Sequence, residues 1–328
     1  MSSSVMERRS CSVAFSRLPE NSRARRYSRR GDVGPLKLEG NTALQFRRDV
    51  MRPFLDAHLK EGAPPVATPP VLVYETGTNR WRRLQSWPQS CAQGCPAKSR
   101  RLYLQPNFGL SFNEPTHGTG DYDAYVSDPA RPVPNAPRPV HFADPAAWVR
   151  WLLEDQRFVA DRPDVLTYMG EPLRKPLRIA GAPEVHLYAA SSGTDSDWVV
   201  KLIDVYPDEV PSEPSMSGYQ LPIGMEIFRS RYRDSLEHPR RLPSNQVIDY
   251  RFALPMASHV FLPGHRLMVQ VQSTWFPLYD RNPQTYVENI FRAQPKDYRK
   301  ATQRVYRAAP QASFIELPVV NTDEGVPN

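Results

Sequence analysis

The amino-acid sequence predicts a mainly β protein, an antiparallel sandwich preceded by a helical segment. The first observation is the proline content, since 35 prolines stand against 16 glycines in 328 residues. Proline lacks a backbone donor and is excluded from helix interiors and central strands, so short strands joined by long loops suit this composition. The second observation is the alternation of apolar and polar residues with a period of two after residue 70, which is typical of strands with one buried face.

The helical segment is predicted by a different period. Phe46, Val50 and Phe54 recur at a spacing of four, which places them on one side of a helix from about residue 42 to 60. Pro53 lies within this stretch and is expected to kink or split the helix.

The strands are predicted from the period of two and from short apolar runs. Residues 198–205 are apolar on both faces except for Lys201 and Asp204, so this strand should be central in its sheet. The other strands are expected at residues 71–75, 101–105, 248–254, 267–272 and 313–320.

Composition divides the chain into four parts. We expect a disordered Arg/Ser-rich leader over residues 1–34, a helix and linker over 35–65, the sandwich over 66–322 and a tail over 323–328. The formal net charge of +7 lies mostly in the leader, so it does not favour a nucleic-acid partner. No stretch approaches the roughly 20 apolar residues of a membrane span, so no membrane partner is expected.

Candidate disulfide and metal sites are few. Cys91 and Cys95 lie four residues apart in a polar loop, where a small disulfide is favoured over two free thiols. His259 and His265 flank a Pro-Gly turn and either bind a metal or form a hydrogen-bonded pair, of which the pair is favoured. No metal and no other cofactor is therefore predicted.

Paired carboxylates offer a second candidate for chemistry. Asp195 and Asp197 point to the same side of a strand, where they could perform acid–base catalysis or bind calcium. Neighbouring small polar residues favour a strand entry with local side-chain-to-backbone hydrogen bonds instead. The alternating arginines and aromatics of residues 228–233 could clamp nucleic acid, but a basic strand or loop salt-bridged to surface carboxylates is the preferred interpretation.

A serine nucleophile of the α/β-hydrolase type requires a Gly-x-Ser-x-Gly turn. No serine of this chain fits that pattern; the segment from Gly109 to Asn113 supplies only the first glycine. The sequence therefore predicts no catalytic residue.

Several segments, taken in order, resemble a known family of serine hydrolases. The strongest are Asp155-Gln156-Arg157-Phe158 with Arg162-Pro163-Asp164, and Thr194-Asp195-Ser196-Asp197-Trp198. Others include Leu262-Pro263-Gly264-His265-Arg266 and Phe276-Pro277. Together they resemble the C-terminal part of X-prolyl dipeptidyl-peptidases, cocaine esterase, α-amino-acid ester hydrolases and glutaryl-7-aminocephalosporanic acid acylases.

The resemblance implies a jelly-roll, galactose-binding-like sandwich preceded by a helical remnant of an α/β-hydrolase domain. In such a family the Ser-His-Asp triad lies in that hydrolase domain, which we expect to be missing from this chain. The partner would then be such a domain, with a small acyl or peptide substrate; a homo-oligomer stays open. The loop 135–142 would reach towards the substrate pocket, which makes Arg138, His141 and Phe142 the expected substrate-facing residues.

Two functions follow as expectations. The first is the accessory portion of a serine hydrolase acting on acyl-peptide, α-amino ester or amide bonds, inactive alone. The second is a jelly-roll module that binds carbohydrate or protein partners, with tryptophans such as Trp81, Trp87, Trp148 or Trp151 as stacking platforms. The resemblance implies a periplasmic or secreted protein, whereas the lack of an apolar signal sequence favours the cytoplasm.

Overall fold

A computed structural model describes residues 32–33, 35–38, 40–89, 95–115, 122–139 and 150–320. In this part of the chain, strands dominate, and the predicted mainly β fold with a small helical segment is confirmed. No helix among the described residues is long and apolar enough to cross a bilayer.

The helical segment consists of two short helices joined by a π-helical turn. Helix α1 is Thr42–Phe46, the turn is Arg47–Met51 and helix α2 is Arg52–Leu59. Asn41 caps α1 by accepting a hydrogen bond from the backbone N–H of Leu44 at 2.9 Å. The wider turn stands directly before Pro53, which cannot donate a backbone hydrogen bond, so the predicted disturbance takes the form of a π-helical turn.

The strands, numbered in chain order, begin with two short pairs and continue into one large sheet. Their bounds are β1 Asp32–Val33, β2 Leu36–Lys37, β3 Val71–Glu75, β4 Arg80–Leu84, β5 Ala97–Gln105, β6 Gly109–Ser111, β7 Tyr122–Ser127, β8 Leu166–Gly170, β9 Leu177–Gly181, β10 Glu184–Ser191, β11 Asp197–Val205, β12 Gln220–Arg229, β13 Ile248–Ala253, β14 Ala257–Phe261, β15 Arg266–Gln272, β16 Ala301–Tyr306 and β17 Phe314–Val320. A one-turn helix, α3, covers Arg157–Ala160. Short 3₁₀ turns cover Pro106–Phe108, Trp151–Leu153, Pro214–Met216, Ser230–Tyr232, Ile290–Arg292 and Pro295–Asp297.

The large sheet folds into a sandwich around one core. Its strand order is β12-β11-β15-β8-β6-β5-β17-β10-β16-β7, with β9, β13 and β14 as side branches. All pairs in it are antiparallel except β6 with β8. Inward side chains from β8, β11 and β15 share a core with those from β5, β10 and β17, among them Tyr168, Trp198, Leu202, Leu102, Leu187 and Leu317.

Strand β11 is central, as predicted. It lies between β12 and β15, and all nine of its residues are buried, including Lys201 and Asp204. The polar side chains that face away from the main core are therefore buried under the loops that cover the sheet, where they require hydrogen-bond partners.

The β3–β4 hairpin connects the helical segment to the sandwich. Trp81 donates from Nε1 to Oε1 of Gln45 at 3.0 Å and stacks against the ring of Phe46. On the other side, Thr76 donates its backbone N–H to the carbonyl oxygen of Ser258 and accepts from the N–H of Val260. Gly77 has a positive φ of 86°, and a side chain there would collide with the carbonyl of Val260, so the close approach requires glycine.

Candidate functional site

A largely apolar cavity of about 490 Å³ lies where the segment after β7 meets the segment after β15. It is lined by Arg138, Pro139, Phe276 and Pro277. Backbone hydrogen bonds hold the two segments together: Asn135 donates to the carbonyl of Phe276 and Phe276 donates to the carbonyl of Val133, each at 3.0 Å. The cavity therefore has a wall fixed by the main chain, with one exposed guanidinium at its edge.

Arg281 contacts Phe276 of this wall and a neighbouring aromatic ring. The guanidinium of Arg281 lies 5.7 Å from the ring centre of Phe276 and 5.2 Å from that of Tyr298. It donates to the carbonyl of Pro129 at 3.1 Å. These contacts fix the Phe276 ring in place, and cation–π contacts of this kind stabilise aromatic side chains at a surface.

One of the three predicted substrate-facing residues lies on this cavity. Arg138 is exposed and lines it, whereas His141 and Phe142 lie outside the described residues. Sequence reasoning did not select Phe276 and Pro277 as site residues. The Phe-Pro pair that carries part of the family resemblance was the available signal for them.

A hydroxyl–imidazole–carboxylate chain exists elsewhere, and its geometry superficially resembles a catalytic triad. Nδ1 of His259 lies 2.8 Å from Oγ1 of Thr76, and Nε2 lies 3.1 Å from a carboxylate oxygen of Asp204. His259 and Asp204 are each 1% exposed, and none of the three residues lines the cavity at Arg138. The Thr76 hydroxyl itself donates to the carbonyl of Ser258 at 3.2 Å, so we interpret this chain as the joint between the β3–β4 hairpin and the sandwich.

The two predicted histidines form a pair through Asp204. Nδ1 of His265 lies 2.9 and 3.0 Å from the two carboxylate oxygens, opposite the contact from His259. Burial alone would raise the pKa of Asp204, but the hydrogen bonds from both histidines hold it below its ordinary value. Among the described residues no group of three or more histidines, cysteines and carboxylates is arranged to hold a metal ion.

The paired carboxylates at the entry of β11 are engaged by arginines. Asp195 is fully buried and accepts from Nε of Arg231 at 2.8 Å and from the backbone N–H of Ser196. Nη2 of Arg231 lies 2.7 Å from the same carboxylate as an ion pair and donates to the carbonyl of Val287. Asp197 accepts from Nδ2 of Asn282 at 2.9 Å. These contacts agree with the structural interpretation of both carboxylates. Arg231 of the basic segment pairs with a buried carboxylate, however, and not with the surface one that the sequence led us to expect.

Burial has a measurable electrostatic consequence at two positions on β11. It raises the pKa of Asp197 to about 7, with Arg229 opposing and Asp195 reinforcing the shift. It lowers the pKa of Lys201 to about 7. Lys201 has no exposed area and donates to Oε1 of Gln156 at 2.8 Å, so the Asp-Gln-Arg segment covers a buried amine.

The cysteine prediction concerns one described residue. Cys95 is disulfide-bonded. Cys91 lies outside the described residues, so its pairing with Cys95 stays a prediction.

Comparisons with known proteins identify the class to which this fold belongs, the β-sandwich domains that accompany serine hydrolases. Residues 66–316 match the model of the X-Pro dipeptidyl-peptidase C-terminal non-catalytic domain. The chain belongs to that family.

Relatives in sequence and in structure agree with this assignment. Cocaine esterase of Rhodococcus sp. (strain MB1 Bresler) is 32% identical over 289 residues, which cover 84% of this chain and 46% of the esterase. A solved α-amino acid ester hydrolase is 60% identical with a TM-score of 0.85, over 88% of this chain and 47% of that one. An aminopeptidase from a marine sediment Thaumarchaeota archaeon is 50% identical with a TM-score of 0.84, over 88% of this chain and 47% of that one. The chain thus spans about half the length of the relatives that it matches.

Proposed function

We propose that this chain is the accessory β-sandwich portion of a serine hydrolase that acts on acyl-peptide, α-amino ester or amide bonds. In this proposal the chain does not hydrolyse such bonds alone, and an α/β-hydrolase domain that packs against it supplies the nucleophile. The observation that carries the proposal is the family match over residues 66–316 to a domain described as non-catalytic.

The helical segment supports a partner domain. Its two helices bury no residue, and the apolar side chains of Leu44, Met51, Phe54, Leu55 and Leu59 are between 41% and 77% exposed. Exposed apolar stripes of this kind mark protein–protein contacts. The relatives contain roughly as much additional chain as the part matched here, which is enough for such a domain.

The cavity at Arg138 supports a role beside a substrate. An apolar wall with one cation is the kind of surface that orients a small organic molecule without performing chemistry on it. Within the described part of the chain, no serine hydroxyl is hydrogen-bonded to a histidine imidazole, so the four residues that line the wall have no activated serine among their described neighbours.

The carbohydrate-binding alternative gains no support from Trp81 and Trp151, two of the four tryptophans named as candidate platforms. Trp81 packs between Tyr74 and Phe46, and Trp151 packs edge-on against Trp275. Each is half-buried and engaged by neighbouring rings rather than presented to a sugar.

The proposal is tested in two steps. The purified chain is first incubated with an aryl ester of an α-amino acid and with an X-Pro anilide, and we expect no turnover above the buffer rate. Turnover that a serine-directed inhibitor abolishes would overturn the proposal, because it would place a nucleophile in this chain.

In the second step the chain is co-expressed with the N-terminal half of the 60% identical α-amino acid ester hydrolase. We expect a complex that Leu59→Glu weakens at least about tenfold, because a charge on the apolar stripe must be desolvated on docking. The matched control is Leu236→Glu, which changes a leucine of similar exposure, 85% against 77%, outside the helical segment. Equal effects of the two variants, or no complex, would contradict docking through the helices.

A further inference from the structure

One edge of strand β5 has unpaired hydrogen-bonding groups. Residues 97–103 of β5 pair with β17, but on its other side β6 covers only residues 103–105. Ala97 donates to the carbonyl of Pro88 and closes the opposite end. Between these ends, no backbone partner covers residues 98–101 in the described part of the chain; we refer to these residues as the basic edge.

The register shows which groups are free. Leu104 donates to the carbonyl of Ser313, so alternate residues of β5 direct their N–H and C=O groups towards β17. Ser99 and Arg101 lie out of phase with Leu104, and their N–H and C=O groups therefore point away from β17. Two donors and two acceptors thus face outward at the spacing of a strand, which is the template for adding another one.

The side chains of the basic edge select the partner. Lys98, Arg100 and Arg101 are exposed, so the edge carries three cations in four residues. Successive residues of a strand point to opposite faces, so the side chain of Arg100 leaves the strand on one face and that of Arg101 on the other. A second copy of this chain would bring the same cations against them, whereas an acidic strand is complementary on both faces.

A cavity of about 470 Å³ adjoins the basic edge and can receive side chains. It is lined by Ser99, Arg100, Arg101, Tyr103, Phe112 and Glu316. The guanidinium of Arg100 lies 4.0 Å from the ring centre of Phe112, and no carboxylate of the described residues lies within ion-pair distance of it. Arg101 lies over the ring of Phe314 at 4.8 Å, and Glu316 is 3.8 Å from it. Arg100 is therefore the less neutralised of the two.

We propose that the basic edge binds an extended acidic peptide segment of a partner protein, which adds a strand to β5 beyond the end of β6. The main-chain groups of Ser99 and Arg101 hold the peptide backbone. Acidic side chains at consecutive positions meet Arg100 on one face and Arg101 on the other. This interaction does not depend on the proposed hydrolase partner, because it uses another part of the molecule.

The probe is a blocked octapeptide that repeats Thr-Glu-Glu-Thr twice, so that consecutive glutamates point to opposite faces of the added strand; it is titrated into the isotope-labelled full chain. We expect the amide signals of Ser99 and Arg101 to shift and their hydrogen exchange to slow on binding. A matched peptide with lysine in place of glutamate, and one with every backbone amide methylated so that neither of its edges can donate, should both fail to bind. Equal binding of the lysine or the methylated peptide would overturn the proposal.

Substitutions distinguish the contribution of the backbone hydrogen bonds to peptide binding from that of the charged side chains. Ser99→Pro removes one outward donor and should weaken binding at least about tenfold, whereas Ser99→Ala keeps the donor and should leave binding unchanged. Arg100→Glu should weaken binding by more than Arg101→Glu, because Glu316 already offsets Arg101. Arg251→Glu, which makes the same charge change on β13, serves as the control and should alter affinity less than about twofold. Unchanged binding by correctly folded Ser99→Pro would overturn strand addition.

Discussion

Apolar side chains are buried in the sandwich but largely exposed in the helical segment that precedes it. Trp198 and Leu202 on β11 have no exposed area, whereas Leu55 and Leu59 on α2 are 42% and 77% exposed. Both regions have a clear apolar pattern in the sequence. The difference teaches that a periodic pattern identifies an element and its apolar face, but not whether the same chain covers that face.

Two ion pairs differ in burial in the same way, one at the entry of β11 and one in the helical segment. Asp195 and Arg231 at the entry of β11 are 0% and 2% exposed. Asp49 and Arg48 in the helical segment are 50% and 64% exposed. Solvent screens the second pair, whereas removing one partner of the first leaves the other charge buried and unpaired.

The largest expected effect comes from breaking the buried pair. Asp195→Asn should lower the free energy of unfolding by about 3–5 kcal/mol, because Arg231 then keeps its charge in a desolvated site. Urea denaturation measures this change. The control, Asp49→Asn in the helical segment, should have no measurable effect. Equal effects of the two variants would contradict the difference in stability contribution between the buried and the exposed ion pair.

A smaller effect is expected from matched leucine truncations. Leu202→Ala should cost about 2–5 kcal/mol, since it removes a fully buried side chain and leaves a cavity. Leu55→Ala should cost less than about 1 kcal/mol, because the side chain is partly solvated already. The same denaturation series tests both, and a large loss for Leu55→Ala would show that the helical stripe is covered within this chain.

The third prediction concerns pH. Burial lowers the pKa of Lys201 to about 7, so between pH 7 and the ordinary lysine value the unfolded chain binds more protons than the folded one. The stability contributed at this site is therefore complete above the ordinary value and is lost as the pH falls towards 7.

In that window Lys201 should add a slope of up to about 1.4 kcal/mol per pH unit to the free energy of unfolding. Lys201→Met should flatten the slope and raise stability at pH 7, as followed by denaturation at several pH values. Lys60→Met, which changes an exposed lysine after α2, is the control and should leave the slope unchanged. An unchanged slope in Lys201→Met would show that the amine is not desolvated.

Much of the fold could be predicted from the sequence. The predicted strand 71–75 coincides with β3, and residues 198–205 fall within the fully buried central strand β11. Such predictions succeed because the alternation of side chains along a strand is a local property of the backbone. The site was less predictable: the family resemblance pointed to Arg138, but Phe276 and Pro277 lie far from it along the chain.

The sequence by itself determined the strands at 71–75 and 198–205 and the disturbance of the helix near Pro53, because these follow from local periodicity and from proline. Only the tertiary structure decided that Thr76 and Asp204 meet His259, and that one side of β5 stays unpaired. Those outcomes depend on strand register and on the length of β6, and many distant contacts fix these together rather than any local pattern.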